Sequence, residues 1–391
     1  MSFDPFGHSP DLAQLANEGF ELEITQGGHL LVKGIPYVNQ DGVIELGTLV
    51  ARLEMNGDVT VNPVQDHAMR FVGNAPCNSL RQPLNMVVNS NTEEMEPGLQ
   101  VNHVLSSLPD SPYPNYFTKV SSYVDLIERE AQAIDRSVNA RTGKPSLVQS
   151  DDWPFEYVDT ASGRAGIGAI SGKLTGNRIA IVGLGGTGSY ILDLVAKCPV
   201  EEIHLFDGDQ FSTHNAFRAP GAPSLEKLRV GSPKTDYYRE IYSQMKRKIV
   251  SHPYYLGPEN SAAELNNMTF VFIAMDGGES KRHVVDALES LGLPFVDASI
   301  GVERSADNRL VALIEVNGST QANRQSFRQN VDFGPVAMDD PYADNIQIAE
   351  LNAMNAGLAV LWWKKHAGIY YHTQEHFHQT FNVTFDRLTS E

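Results

Sequence analysis

The stretch 177–199, NRIAIVGLGGTGSYILDLVAKCP, constrains the fold more than any other part of the chain. A run of apolar residues closes on Gly183-Leu184-Gly185-Gly186-Thr187-Gly188 and then opens into a helical segment. Glycines permit the tight turn and let backbone N–H groups approach a phosphate at the positive end of the helix. The alternation then repeats. EEIHLFDGD reads as a strand, KTDYYREIYSQMKRKI as a helix, TFVFIAMD as a strand, SKRHVVDALESLG as a helix and LPFVDASI as a strand. NRLVALIEV adds a further strand, and IQIAELNAMNAGLAVLWWKKHA at 346–367 reads as an amphipathic helix. Strands alternating with helices of this length imply an α/β domain with a mainly parallel sheet and covering helices.

The 391 residues exceed what one hydrophobic core usually organises. Residues 20–105 have a different texture: ELEITQ, HLLVKGIPYV, GVIELGTLVARLEM and DVTVNP alternate apolar and polar residues between Gly, Asn and Asp turns. A helix is expected at 123–138, with Val124, Ile127, Ala131 and Ile134 on one face. NARTGKPSLVQSDDWP is polar, carries two prolines and reads as a linker. The expected division is a smaller strand-rich α+β domain over 1–140, a linker over 141–160 and the α/β domain over 161–391.

Formal net charge is −18, so the surface repels nucleic acid and anionic membranes. The dense basic run, Lys246-Arg247-Lys248, reads as the solvated face of a helix. The first twenty residues lack a basic region followed by an apolar one, and AGLAVLWW at 356–363 is far short of a membrane span. No membrane partner and a cytoplasmic location are expected. Two cysteines, Cys77 and Cys198, cannot build a disulfide framework or a four-cysteine zinc site.

About twenty residues beyond the glycine turn, Asp207 ends the second strand, where a carboxylate can bind ribose hydroxyls. To this point a nicotinamide oxidoreductase and a purely structural glycine turn remain open. The residues beyond Asp207 separate these readings. DGDQFSTHNAFR brings Asp207, Asp209, Asn215 and Arg218 in quick order, VGSPKTD supplies Lys234, and the third strand ends in Asp276. This order of G-x-G-G-x-G, Asp, N-x-x-R, G-x-P-K and Asp resembles the ThiF/MoeB/HesA family, relatives of the eukaryotic ubiquitin-activating enzymes, over residues 160–391. The two cation-bearing elements have no obvious task in hydride transfer.

The resemblance implies a Rossmann-like adenylation domain that uses ATP and magnesium to activate the C-terminal carboxylate of a ubiquitin-like or sulfur-carrier protein. It assigns Gly183, Gly185, Gly186 and Gly188 to the phosphates and Asp207 to the ribose. Arg218 and Lys234 go to the triphosphate, Asn215 to a phosphate or the acyl-adenylate, and Asp276 to magnesium. Asp209 either belongs to the nucleotide site or caps a turn. Family habit implies a homodimer, with Arg164 in the place of an arginine donated across the dimer; an exposed linker arginine is the plain alternative. A conjugating-enzyme-like protein is a further expected partner. A peptide or small acid as substrate, and a non-catalytic nucleotide-binding scaffold, are the competing readings.

The pattern departs from its relatives in two respects: residues 317–346 contain no cysteine to take the activated protein as a thioester, and the two C-x-x-C zinc pairs that some relatives carry do not occur. Transfer straight to a partner's nucleophile is the simplest consequence, with Ser326 a poor substitute because an unactivated hydroxyl reacts weakly. Cys198 reads as a small buried hydrophobe. Cys77 could pair with His67 as a reactive thiolate or be a buried structural residue. His372 and His376 would suit a metal only on a helix, whereas the aromatic alternation of HFHQTFNVTF favours a strand. HAMRFVGNAPC and YFTKVSSYVDLI resemble extensions on bacterial ThiF-like proteins linked to ubiquitin-like conjugation, which implies a role in recognising a substrate or partner.

Overall fold

A computed structural model describes residues 3–63, 66–148, 153–331, 333–334 and 346–391. The chain divides into two compact units, Met1–Gly172 and Lys173–Glu391.

The first unit is a seven-stranded sheet with helices. Its elements are α1 (Pro10–Asn17), β1 (Glu21–Ile24), β2 (His29–Val38), β3 (Ile44–Arg52), β4 (Ala68–Val72), β5 (Val87–Asn89), β6 (Glu93–Glu96), β7 (Leu99–Val101), β8 (His103–Ser106), α2 (Tyr116–Gln132), β9 (Leu147–Val148) and α3 (Thr160–Ala165). The sheet order is β9-β1-β2-β3-β4-β8-β5, while β6 and β7 form a separate hairpin. Helix α2 buries Val120, Tyr123, Val124 and Ile127 against Leu30, Val32, Leu49, Met69 and Phe71. It starts seven residues before the expected 123, because the Asn115 side chain caps it by accepting from Thr118 N at 2.8 Å. It also stops early, which leaves Ile134 exposed rather than on the buried face.

The expected linker at 141–160 is instead largely part of this unit. Gly143 N donates to Gly19 O at 2.9 Å, β9 pairs in parallel with β1, and Trp153 and Val158 are buried in the core. Two prolines and a polar composition mark irregular backbone, but a few apolar anchors suffice to pin it. The first compact unit runs on to Gly172.

The second unit is an eight-stranded sheet. Its elements are β10 (Arg178–Val182), α4 (Gly186–Ala196), β11 (Glu202–Phe206), α5 (Thr213–Ala216), α6 (Lys234–Tyr242), β12 (Ile249–His252), β13 (Phe270–Ile273), α7 (Glu279–Ser290), β14 (Phe295–Arg304), β15 (Leu310–Ser319), α8 (Arg324–Asn330), α9 (Ala349–His366), β16 (His378–Asn382) and β17 (Arg387–Ser390). The order is β12-β11-β10-β13-β14-β15-β16-β17. Pairing is parallel from β12 to β14 and antiparallel beyond. This matches the expected α/β class with a mainly parallel sheet at its nucleotide-type half. Register aligns the strand ends: Val182 lies opposite both Phe206 and Ile273, so the carboxyl ends of β11, β10 and β13 stand side by side.

Two sequence expectations change here. The helix carrying Lys234 ends at Tyr242, and Lys246 is fully buried instead of lying on a solvated face. Its ammonium donates to Cys198 O at 3.2 Å and to Val200 O. Helix α9 buries Ala356, Ala359, Trp362 and Trp363 yet also leaves Met354 and Leu361 exposed, so it is apolar on both sides rather than amphipathic. No helix among the described residues is long and apolar enough to cross a membrane.

Candidate functional site

Because the three strand ends are aligned, the segments that leave them meet at one edge of the sheet, where open α/β sheets bind their ligands. They enclose a cleft of about 790 Å³, a size suited to a small-molecule cofactor. Its walls include Gly183, Gly185, Asp207, Asp209, His214, Arg218, Lys234, Tyr255 and Asp276.

The glycines of the turn divide by task. A Cβ on Gly186 would lie 1.9 Å from Asn352 Nδ2, and one on Gly188 would lie 1.8 Å from Gly183 O. Both positions are closed by packing between the turn, α4 and α9. Gly185 has only Gln347 Oε1 near, at 3.8 Å, and faces the cleft. Its openness leaves room for a ligand rather than for a neighbouring side chain.

Asp207 ties the turn to the second strand: its carboxylate accepts from Leu184 N at 2.6 Å and from Asp209 N at 2.8 Å. Lys234, nearly fully buried, donates to Asp209 Oδ2 at 2.6 Å and approaches Asp207 Oδ2 at 3.5 Å. Tyr255 also donates to Asp209. Burial pushes the Asp209 carboxyl up, but hydrogen bonds from Lys234 and Tyr255 and the charges of Lys234 and Arg218 outweigh it and hold it below its ordinary value. Asp209 is therefore part of the cleft's charge network, beyond any capping role.

Arg218 lines the same cleft, and its Nε is buried without a hydrogen-bond partner. A buried cationic donor left unpaired is costly unless an anion satisfies it. Asn352 holds this segment by donating to Arg218 O at 3.0 Å, while its Oδ1 accepts from Thr187 Oγ1 at 3.2 Å. Asn215 stands behind the wall: its Oδ1 accepts from Ser212 N at 2.9 Å, which caps the short helix α5 that presents His214.

Asp276 is exposed at the boundary with a second, smaller cavity of about 130 Å³. The two share Gly185, Ala274, Met275, Asp276, Gly277 and Gln347. Lys281 lines the smaller cavity and forms a buried ion pair with Asp297 at 2.8 Å. One carboxylate between two cavities suits a magnesium ion, which takes one or two protein carboxylates and completes its shell with phosphate oxygens and water.

The structure thus brings Gly183, Gly185, Asp207, Asp209, Arg218, Lys234 and Asp276 onto one cleft, with Gly186 on the adjoining cavity. Gly188 and Asn215 support it from behind. Arg164 is exposed on α3 of the first unit. Sequence reasoning passed over His214, Tyr255, Gln347 and Asn352. Only Asn352 left a signal, as a polar residue on the buried face of an apolar helix.

The other candidates resolve differently. Cys77 is buried, burial raises its thiol pKa, and Sγ donates to Ala75 O at 3.2 Å. His67 instead hydrogen-bonds Ser106 Oγ through Nε2 at 3.1 Å. Cys198 is buried in the second core, as expected. Ser326 is exposed on α8, and residues 332 and 335–345 of the expected crossover loop lie outside the described residues. His372 and His376 precede strand β16 and are not helical, and no group of three metal-type side chains occurs among the described residues.

An open α/β sheet with a glycine turn, ribose-type carboxylates and two cations at its carboxyl edge defines a nucleotide-site protein. The chain belongs to the ThiF family, whose model matches residues 165–366. Residues 10–160 match a family described as a domain of unknown function, DUF6791. Adenylyltransferase and sulfurtransferase UBA4 of Saccharomyces cerevisiae (strain YJM789) is 28% identical over 141 residues, 35% of this chain and 31% of that protein. Ubiquitin-like modifier-activating enzyme 5 of Gallus gallus is 23% identical over 211 residues, 49% of this chain and 52% of that one. The chain thus spans about a third to a half of these relatives' length. Among solved structures, E. coli MccB with AMPCPP and MccA aligns at a TM-score of 0.43 and 14% identity, over 60% of this chain and 70% of that one.

Proposed function

We propose that this chain uses ATP and magnesium to adenylate the C-terminal carboxylate of a ubiquitin-like or sulfur-carrier protein. The observation that carries the reading is the buried, unpartnered Nε of Arg218 on a cleft it shares with Lys234, Asp207 and the open face of Gly185. That donor lacks an acceptor. A nucleoside triphosphate supplies one, with the ribose on Asp207 and the phosphates between the glycine turn, Arg218 and Lys234.

In this reading the acyl end of the substrate occupies the smaller cavity. A carboxylate oxygen attacks the α-phosphorus in line; a carboxyl–phosphorus bond forms and the bond to pyrophosphate breaks. Asp276 would hold the magnesium ion, which would supply positive charge to the phosphates. Arg218 and Lys234 steady the charge that grows on their oxygens, the largest help such a step receives. A cavity of about 130 Å³ admits the narrow end of an extended chain and no folded body. With both cysteines buried, the acyl group passes directly to a partner's nucleophile, for which a conjugating-enzyme-like protein is the expected acceptor. The exposed Met354 and Leu361 on α9 support a homodimer, and the first unit recognises substrate or partner.

The test is ATP–pyrophosphate exchange with a carrier protein ending in a flexible tail. Exchange should require that tail and vanish in Asp276→Ala and Lys234→Ala. Exchange that persists in both variants sinks the assignment. Stimulation by a free peptide or small acid, and none by the carrier, would transfer the substrate to that class.

A further inference from the structure

We propose that His214 is a third, proton-dependent cation of the triphosphate site, becoming protonated when nucleotide enters the cleft. The inference rests on the nucleotide reading above and assigns a new residue to that site.

His214 lines the cleft together with Arg218 and Lys234. Its ring is oriented by Ser212, whose hydroxyl lies 2.8 Å from Nδ1. The same hydroxyl lies 3.0 Å from Asn215 Oδ1, so its one proton goes to one of these two neighbours. In the neutral imidazole one ring nitrogen carries a hydrogen and the other a lone pair, whichever way the hydroxyl turns. Only the imidazolium offers N–H groups at both nitrogens and adds a positive charge beside the phosphates. A ring that takes up a second proton becomes the third cation of the site.

The charges around the ring set when that proton arrives. Loss of hydration disfavours protonation most, the charges of Arg218 and Lys234 disfavour it further, and Asp209 favours it. Partial burial against the cleft wall, together with the two cations, places the imidazole below its ordinary value and outweighs Asp209. Without ligand the ring is neutral at pH 7. A triphosphate brings several negative charges between the same three groups and reverses the balance, since an opposite charge within a few ångströms favours the charged form. Binding then draws one proton from the buffer, and affinity rises as pH falls, by up to about tenfold per pH unit where a full proton is taken up.

The experiment is calorimetric titration of the full chain with the magnesium complex of α,β-methylene-ATP at pH 6, 7 and 8. Buffers of different protonation enthalpy report the protons taken up. The same titration of His214→Gln subtracts any proton carried by the nucleotide itself. Wild type should take up more protons than the variant at pH 7, and its affinity should fall more steeply toward pH 8. Equal uptake in the two proteins overturns the role of His214 and leaves the nucleotide site standing. No binding to wild type at any pH sinks both. Should the variant not fold, the His214 ring resonance in wild type, assigned by sequential connectivity, gives the answer: nucleotide should move it to the protonated position, and an unmoved resonance overturns the proposal.

Discussion

The carboxylate of Asp207 reaches across 23 residues of sequence to accept the amide of Leu184 at 2.6 Å, fastening the end of one strand to the glycine turn that follows its neighbour. This bond makes the turn and the Asp207 carboxylate a single rigid piece. The same carboxylate also holds Asp209 N, so it shapes both walls of the nucleotide cleft at once.

Replacing that carboxylate should therefore cost stability as well as binding. Asp207→Ala removes the acceptor for two buried or half-buried amides, each worth about 1–3 kcal/mol when left unsatisfied. Urea unfolding should show a loss within or above that range, together with lost nucleotide binding. An unchanged unfolding midpoint would mean the turn holds its shape without Asp207.

The glycines of the turn should separate by experiment. Gly188→Ala drives a methyl group into Gly183 O and should lower stability by at least about 1–3 kcal/mol, the usual cost of overpacking. Gly185→Ala meets nothing closer than 3.8 Å and should unfold near the wild-type temperature while weakening nucleotide binding. Thermal melts with and without ATP distinguish the two; equal destabilisation by both would contradict the division of tasks.

Lys281 and Asp297 form a pair in which both side chains are almost wholly buried. Lys281→Met strands the carboxylate and should destabilise by about 3–5 kcal/mol. Adding Asp297→Leu should recover most of that loss, because the remaining site is then apolar. If the double variant is as unstable as the single one, the pair is not what the substitution breaks.

Burial pushes the Lys246 ammonium from 10.5 down to about 7. Between those values the unfolded chain holds a proton that the native chain does not, so native stability should climb as pH rises across that window. The slope contributed by one such group reaches about 1.4 kcal/mol per pH unit. Lys246→Met should flatten it. Denaturant unfolding at pH 7, 8 and 9 measures the difference, and parallel slopes in the two proteins would rule the lysine out as its source.

Much of the α/β unit was legible because its signals are local. A buried strand, a glycine turn and a helix succeed one another within about twenty residues, and motif order alone pointed to a ThiF-like domain. The spans of weakest local signal were misread. The polar segment 141–160 looked free, yet Trp153 and Val158 anchor it in a core built from residues spread between Leu12 and Ala140. Lys246 looked solvated because composition does not show where a helix ends or which carbonyls wait beyond it.

The amino-acid order by itself determined which chemical groups are present, their arrival at strand ends, and the lack of a cysteine after β15. Those properties follow from residue type and short-range periodicity. Tertiary structure alone decided that Val182, Phe206 and Ile273 are in register, so that Gly185, Asp207 and Asp276 face one cleft. It also decided that Asn352, from a distant helix, braces the turn, and that His214 stands among the cations. Register and long-range packing arise from how whole faces bury against each other, and no short window of sequence contains that information.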